Sequence, residues 1–363
     1  MAISTTGKTP RDQGYRMPPE WHPHTATWLS WPRREGVSFP GRYGEVIPTI
    51  VELVRTLGAF EKVNINVSDD AMYNEVKRTL EFHGVARFNI QIQDIPTNEP
   101  WCRDHGPTFL LHESALGVRG AKRTQYPLVA VDWDYNAWGG KYPPFELDDA
   151  VPQKIAHILR TPLFKPGLVL EGGAIEVNGE GTLLTTESCV LNPNRNPGLS
   201  KPQTEKYLTD YLGVTNILWL AGGLAGDDTD GHIDNLARFV GPNTVVVAVE
   251  EDPADDNFGP LQDNLNRLRE MKNEKGQPFE VFELPMPGVV QHDSQRLPAS
   301  YCNFYIANGV VVLPTYQSPH DARAQEILQP LFPDRRVVAI DSVNLIWGLG
   351  SFHCLTQQQP AVP

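Results

Sequence analysis

Residues 301–341 read YCNFYIANGVVVLPTYQSPHDARAQEILQPLFPDRRVVAID, and this one stretch holds a complete structural unit. Two short runs of β-branched and aromatic residues flank Asn308-Gly309, a dipeptide suited to the positive φ angles of a tight hairpin turn. ARAQEILQPLFP then predicts a helix, and RRVVAID predicts a strand returning after it. The order is strand, strand, helix, strand.

The order recurs along the chain. Four more helix-to-strand passages are expected: YGEVIPTIVELVRTLGAF before KVNINVS, DAMYNEVKRTLEFHG before FNIQIQDI, KPQTEKYLTDYLG before NILWLAG, and DNLNRLREMKNEKG before FEVFELPM. In the first of them Val46, Ile50, Leu53, Val54 and Leu57 fall at helical spacing. Further strand pairs are expected around turns at Asn178-Gly179 and Gly241-Pro242-Asn243. A unit repeated about five times, with a period of about 70 residues, argues for a cyclic repeat over a doubly wound sheet. No GxGxxG or GxxxxGK[ST] follows a strand, so nucleotide binding has no signature. Residues 1–16, polar and Pro-containing, are expected to form a loosely held arm before a single domain over 17–363.

Composition narrows the function. The chain has 363 residues, 40% of them hydrophobic and 21% charged, which describes a globular protein with a large core. A net charge of −13 argues against nucleic acid or an anionic membrane as partner and favours a cationic ligand. No apolar run reaches the roughly 18–20 residues of a membrane span and no signal core follows the N-terminus, so a cytoplasmic protein is expected. Cys102, Cys189, Cys302 and Cys354 have neither CxxC nor Cys/His ligand spacing, and are expected to be free thiols with no structural zinc.

Residues of catalytic type gather in four segments at strand ends or turns: NEPWCRDHGPTF (98–109), LEGGAIEV (170–177), GDDTDGHIDNLARF (226–239) and GSFHCLTQQQP (350–360). On an extended stretch His232 and Asp234 would point the same way, as a base beside a charge partner, although DDTDGHID also suits a surface turn. Locally, Arg103-Asp104 under Trp101 reads as a structural ion pair, and Glu171 before Gly172-Gly173 as an acid capping a tight turn. A free cysteine is usually buried and inert, but Cys354 has the polar neighbours His353, Thr356 and Gln357 to Gln359. A neighbouring cation would be needed to ionise it, and the substrate could be that cation.

Together, and in order, these segments resemble the agmatine deiminases and related bacterial peptidylarginine deiminases of the guanidine-modifying superfamily. The resemblance runs from MPPEWHPHTATWLSWP through WCRDHGPTF, LEGGAIEVNGEGTLLTTESCVLNPNRNP, DGHIDNLARF and LPASYCNFYIANGVVVLP to HCLTQQQP. It implies an α/β fold, a pentein-like propeller of five pseudo-symmetric modules. It also implies hydrolysis of a guanidinium to a ureido group through a covalent cysteine intermediate, without cofactor or metal, in polyamine synthesis or agmatine catabolism. Cys354 would be the nucleophile, His232 the acid/base, and Asp104 and Asp234 the carboxylates that grip the guanidinium. Trp101 and Asp228 would line the pocket, with Glu171 offered to a distal amine. Arg103 is expected to be structural, while Arg195 and Arg238 have no assigned place.

Two departures from the family pattern are visible. Ser351-Phe352 stands before His353-Cys354 where Asn-Ile is usual, and Cys102 and His105 replace an apolar and a small hydroxyl residue. The first is expected to alter the loop presenting the thiol, the second to change the pocket's charge or the length of substrate it takes. Other guanidino compounds (free, methylated or peptidyl arginine) are the alternative substrates, and a non-catalytic ligand-binding propeller is the alternative outside enzymes. The expected partner is a small cationic guanidino compound, with a homo-oligomer left open. A papain-like protease is excluded, because its nucleophile lies near the mature N-terminus.

Overall fold

The computed structural model describes residues 7–86 and 88–363. Five sheets share one plan: an antiparallel strand pair, then a helix, then a third strand parallel to the second. The unit read at 301–341 is the fifth, with strands Tyr305–Ala307, Val310–Thr315 and Arg336–Asp341 around the helix Asp321–Leu328. The fourth comprises Ala237–Gly241, Thr244–Val249 and Glu280–Pro285. The third comprises Glu176–Val177, Thr182–Thr186 and Asn216–Leu220. Asn178-Gly179 and Asn308-Gly309 turn as expected, with glycine φ angles of 74° and 66°.

The first sheet joins the two ends of the chain. Thr356–Pro360 pairs antiparallel with His24–Ser30, which in turn pairs in parallel with Lys62–Val67. The C-terminal strand thus completes the module that the N-terminal strand begins, which is why chemistry-bearing residues lie so close to residue 363.

The five expected helix-to-strand passages are all present, but one is not a module of its own. Asp70–Phe82 leads to Ile90–Asp94, a fourth strand added to the first sheet. The passage not predicted is in the second module, where Val151–Leu159 leads to Leu163–Phe164 beside Leu128–Val131. That strand is two residues long, and Pro162 and Pro166 bracket it closely, leaving too few residues for alternation to show. The N-terminal boundary also moves. Tyr15–Arg16 pairs with Thr108–His112, and the buried Tyr15 donates its hydroxyl to the Tyr126 carbonyl at 2.7 Å. The packed part therefore begins before residue 17; residues 1–6 of the expected arm lie outside the described residues.

The strands read as near-continuous apolar runs because both faces are covered. Val245, Val246, Val247 and Ala248 are all essentially inaccessible, as are Val310 to Leu313. On the helix Tyr43–Gly58, Val46, Ile50, Leu53, Val54 and Leu57 are buried, as their spacing requires. No helix among the described residues is long and apolar enough to cross a membrane.

Candidate active site

Each module's first strand is preceded by a short helical turn: Cys102–His105, Gly172–Ala174, Ile233–Asn235, Tyr301–Asn303 and Phe352–Leu355. Contacts tie these turns to one another. They bring Asp104, His232 with Asp234, Asn303 and Cys354 to one place from four distant parts of the chain. Repeat symmetry, rather than sequence proximity, builds the site.

Glycines 172 and 173 serve close approach, not the tight turn expected of them. A Cβ on Gly172 would fall 2.1 Å from the Arg103 carbonyl, and one on Gly173 would fall 2.5 Å from His232 Nδ1. In their absence the Gly173 N–H donates to Asp104 Oδ1 at 2.9 Å, while Trp138 Nε1 donates to Oδ2 at 3.0 Å. His232 Nδ1 stands 3.7 Å from Asp104 Oδ1, and its Nε2 3.9 Å from Glu171 Oε2. His232 and Asp234 are not on a strand: His232 opens a 3₁₀ turn and Asp234 lies within it. The two therefore serve different neighbours.

Asp234 faces the thiol. Cys354 Sγ donates to Asp234 Oδ2 at 3.6 Å and receives Asn303 Nδ2 at 3.1 Å. His353 donates Nδ1 to the same Asp234 oxygen at 2.7 Å and holds Glu20 through Nε2, also at 2.7 Å. Glu20 is anchored by Arg238 at 2.9 Å and by the Ile306 N–H at 2.7 Å. Arg103 bonds the His353 carbonyl, Gln358 and Glu20 from a buried position, a structural role as expected. Arg238 bridges Glu20 and Glu176, and Arg195 holds Glu171 at 2.6 Å.

Burial and charge set the protonation states. Burial, reinforced by Asp234 and Asp104, pushes the Cys354 thiol well above its ordinary pKa, so it is a neutral S–H at pH 7. Burial alone would lower His232, but Asp104, Cys189 and Glu171 outweigh it and raise the imidazole well above 6.5. Asp104 is raised by burial despite His232, with the charges of Asp234 and Glu171 adding to the effect. Asp234 is lowered because His353, His232 and Arg238 together overcome its burial. The site therefore holds a protonated imidazole set against Asp104 and Glu171, and an uncharged thiol beside Asp234.

A narrow cleft leads in from the surface, with about 550 Å³ of atom-free space including its open mouth. Asp104 and Cys354 line it from almost fully buried positions, Trp101, Trp138 and Trp347 form walls, and Asp228 is the more exposed acid. Trp101 and Asp228, expected to line the substrate pocket, are among the residues lining this cleft. Glu171 is not: it is buried beneath His232, paired with Arg195, and does not line the cleft. The family departures also point away. Phe352 packs with Val46 and Leu345, Ser351 meets Ser342 at 3.3 Å, and Cys102 packs with Trp28 and Phe109. His105 lies against Ser30 and Asp148, its pKa pushed down to about 3 by burial, so it adds no charge to the pocket.

Glu171, Cys189 and His232 place donor atoms within 4.8 Å of one another, the only such potential metal cluster among the described residues. Arg195 already occupies Glu171, and an imidazolium has no lone pair to give, so the trio reads as an ion-paired support for His232.

Residues 16–360 match the family described as Porphyromonas-type peptidyl-arginine deiminase. The chain belongs to that family. It is 39% identical to the agmatine deiminase of Pseudomonas syringae pv. tomato, across 99% of both proteins. The solved agmatine deiminase of Enterococcus faecalis superposes with a TM-score of 0.91 at 32% identity, covering both chains completely. A substrate-bound cysteine-to-serine variant of a C. jejuni agmatine deiminase gives 0.84 at 30% identity, over 96% of this chain and 97% of that one. The pentein-like α/β fold expected from sequence is the fold of this family.

Sequence reasoning missed Asn303, Glu20, His353 and Trp138. Asn303 had an available signal: it lies on the fifth module's turn, as Asp104, Asp234 and Cys354 lie on the corresponding turns of their own modules.

Proposed function

We propose that the chain hydrolyses agmatine to N-carbamoylputrescine and ammonia, with Cys354 as nucleophile, His232 as acid and base, and Asp104 and Asp234 gripping the guanidinium. The observation that carries the reading is the cleft itself. Cys354 and Asp104 share its inner part, three tryptophans flank it, and Asp228 is the other charged side chain among its lining residues. A dication with an apolar middle fits that order of carboxylate, aromatic wall and carboxylate. Free arginine would bring its α-carboxylate toward Asp228, where no arginine or lysine lines the cleft and the adjacent Lys141 is already paired with Asp228 Oδ1 at 3.4 Å and Asp230 at 3.0 Å.

The substrate brings a positive charge to the thiol. A guanidinium between Asp104 and Asp234 forms charge-assisted hydrogen bonds; Asp234 Oδ1 is buried and has no protein partner. Its positive charge lowers the thiol pKa, and the thiol proton leaves to solvent. The thiolate adds to the guanidinium carbon, with Asn303 Nδ2 beside the sulfur. His232, already protonated, gives its proton to one nitrogen, which departs as ammonia and leaves an S-alkylthiouronium. Neutral His232 then takes a proton from water, the oxygen adds to the same carbon, and the C–S bond breaks to give the ureido product and restore the sulfur. The reaction consumes one water and releases one ammonia.

The test is turnover of agmatine, arginine, a methylated arginine and a peptide ending in arginine, scored as ureido product. Agmatine is expected to have the highest kcat/KM. Turnover confined to compounds bearing an α-carboxylate would contradict the reading.

A further inference from the structure

Residues 136–142, NAWGGKY, touch both acids of the cleft. Four consecutive residues lie in the left-handed region: Ala137 and Trp138 with φ of 52° and 56°, then Gly139 and Gly140 with 90° and 79°. Two of these are not glycine, a conformation that persists only where surrounding contacts over-determine it. Here the Gly139 N–H is held by Asn136 Oδ1 at 2.8 Å, and Asn136 Nδ2 donates to the Asn194 carbonyl at 3.0 Å. A Cβ on Gly139 would strike the Asn194 side chain at 2.4 Å, so the turn is packed directly onto its neighbour.

The turn's side chains serve opposite ends of the pocket. Trp138 donates to Asp104 Oδ2 at 3.0 Å. Four residues later, Tyr142 donates its hydroxyl to Asp228 Oδ2, and between them Lys141 bonds the Asp228 carbonyl at 2.5 Å and Asp230 at 3.0 Å and stands 3.4 Å from Asp228 Oδ1. The two rings also meet edge to face, with centroids 5.8 Å apart, so displacement of one disturbs the other. Both rings line the cleft.

We propose that this left-handed turn is the enzyme's length gauge: by fixing Asp104 through Trp138 and Asp228 through Tyr142, it sets the separation at which a guanidinium and a distal cation can be bound together. Tyr142 and Trp138 are thus specificity-determining positioning residues. The proposal rests on the reading of Asp228 as the amine's partner. Without the Tyr142 bond Asp228 Oδ2 is released and the carboxylate keeps only Lys141, 3.4 Å from Oδ1 on a partly exposed, flexible side chain, so neighbouring chain lengths become nearly as good.

The experiment measures kcat/KM of wild type and Tyr142→Phe on aminoalkylguanidines with three, four and five methylenes, and on pentylguanidine, which matches agmatine in length but lacks its amine. Wild type is expected to favour four methylenes and to prefer agmatine to pentylguanidine. In Tyr142→Phe the agmatine-to-pentylguanidine ratio is expected to fall about tenfold, the scale of one charge-assisted hydrogen bond, and the length optimum to flatten. Loss of activity in equal proportion on all four compounds, or an unchanged length profile, would overturn the proposal. A wild-type enzyme indifferent to the amine would instead remove the reading of Asp228, and the gauge with it; the two failures are read in different proteins.

Discussion

Replacing Asp104 by asparagine keeps the shape of the side chain and removes its charge. In the substrate complex that charge faces a guanidinium; at about 4 Å and an effective dielectric near 20, the pair is worth about 4 kcal/mol, or close to a 10³-fold loss in kcat/KM. Stability is expected to change much less, because two terms oppose each other. Burial raises the Asp104 pKa, so the fold prefers the protonated acid, and the ionised form costs stability as pH rises through the folded pKa; asparagine removes that cost. Against it, the amide turns an NH₂ toward either the Gly173 N–H or the Trp138 Nε1 donor, a mismatch worth about 1–3 kcal/mol. Ammonia release from agmatine, with thermal unfolding run alongside, measures both. A folded Asp104→Asn protein retaining more than about a tenth of wild-type kcat/KM would refute the assignment of Asp104 to the substrate charge.

Asn303→Ala removes the donor to Cys354 Sγ and is expected to lower kcat about 10- to 100-fold with a smaller effect on KM, read from steady-state kinetics. Gly173→Ala puts a methyl 2.5 Å from His232 Nδ1 and 2.8 Å from Asp104 Oδ1, so activity should fall more than about 100-fold in a soluble, folded protein. Because burial, Asp234 and Asp104 raise the free thiol, thiolate absorbance near 240 nm is expected to be missing at pH 7 and to develop only in alkali; Asp234→Asn should move that titration to lower pH.

The five-module repeat was legible because four of its units carry a clear helix-to-strand passage, and in three of these a recognisable turn joins the preceding strand pair. The second was obscured where Leu163–Phe164, hemmed in by prolines, leaves no alternation to read. In the site, Cys354, His232, Asp104 and Asp234 could be recognised as reactive types gathered at strand ends. Glu171 was assigned to the wrong end of the pocket because sequence order says nothing of depth, and it lies under His232 with Arg195. Asn303, Glu20 and His353 gain their roles only from contacts across the modules, with sequence separations of 51, 286 and 119 residues. The unusual residues of the nucleophile loop looked decisive in one dimension, yet the Phe352 side chain is buried in a hydrophobic cluster, the Ser351 hydroxyl meets Ser342, and neither is among the residues lining the cleft.

The central claim is covalent chemistry at Cys354 inside this cleft. Intact-protein mass spectrometry after incubation with a halo-amidine analogue of agmatine, followed by peptide mapping, tests it most directly. A single adduct on Cys354, lost in Cys354→Ala and suppressed by excess agmatine, is the predicted result. Labelling of Cys102, Cys189 or Cys302 with Cys354 left free would contradict the account.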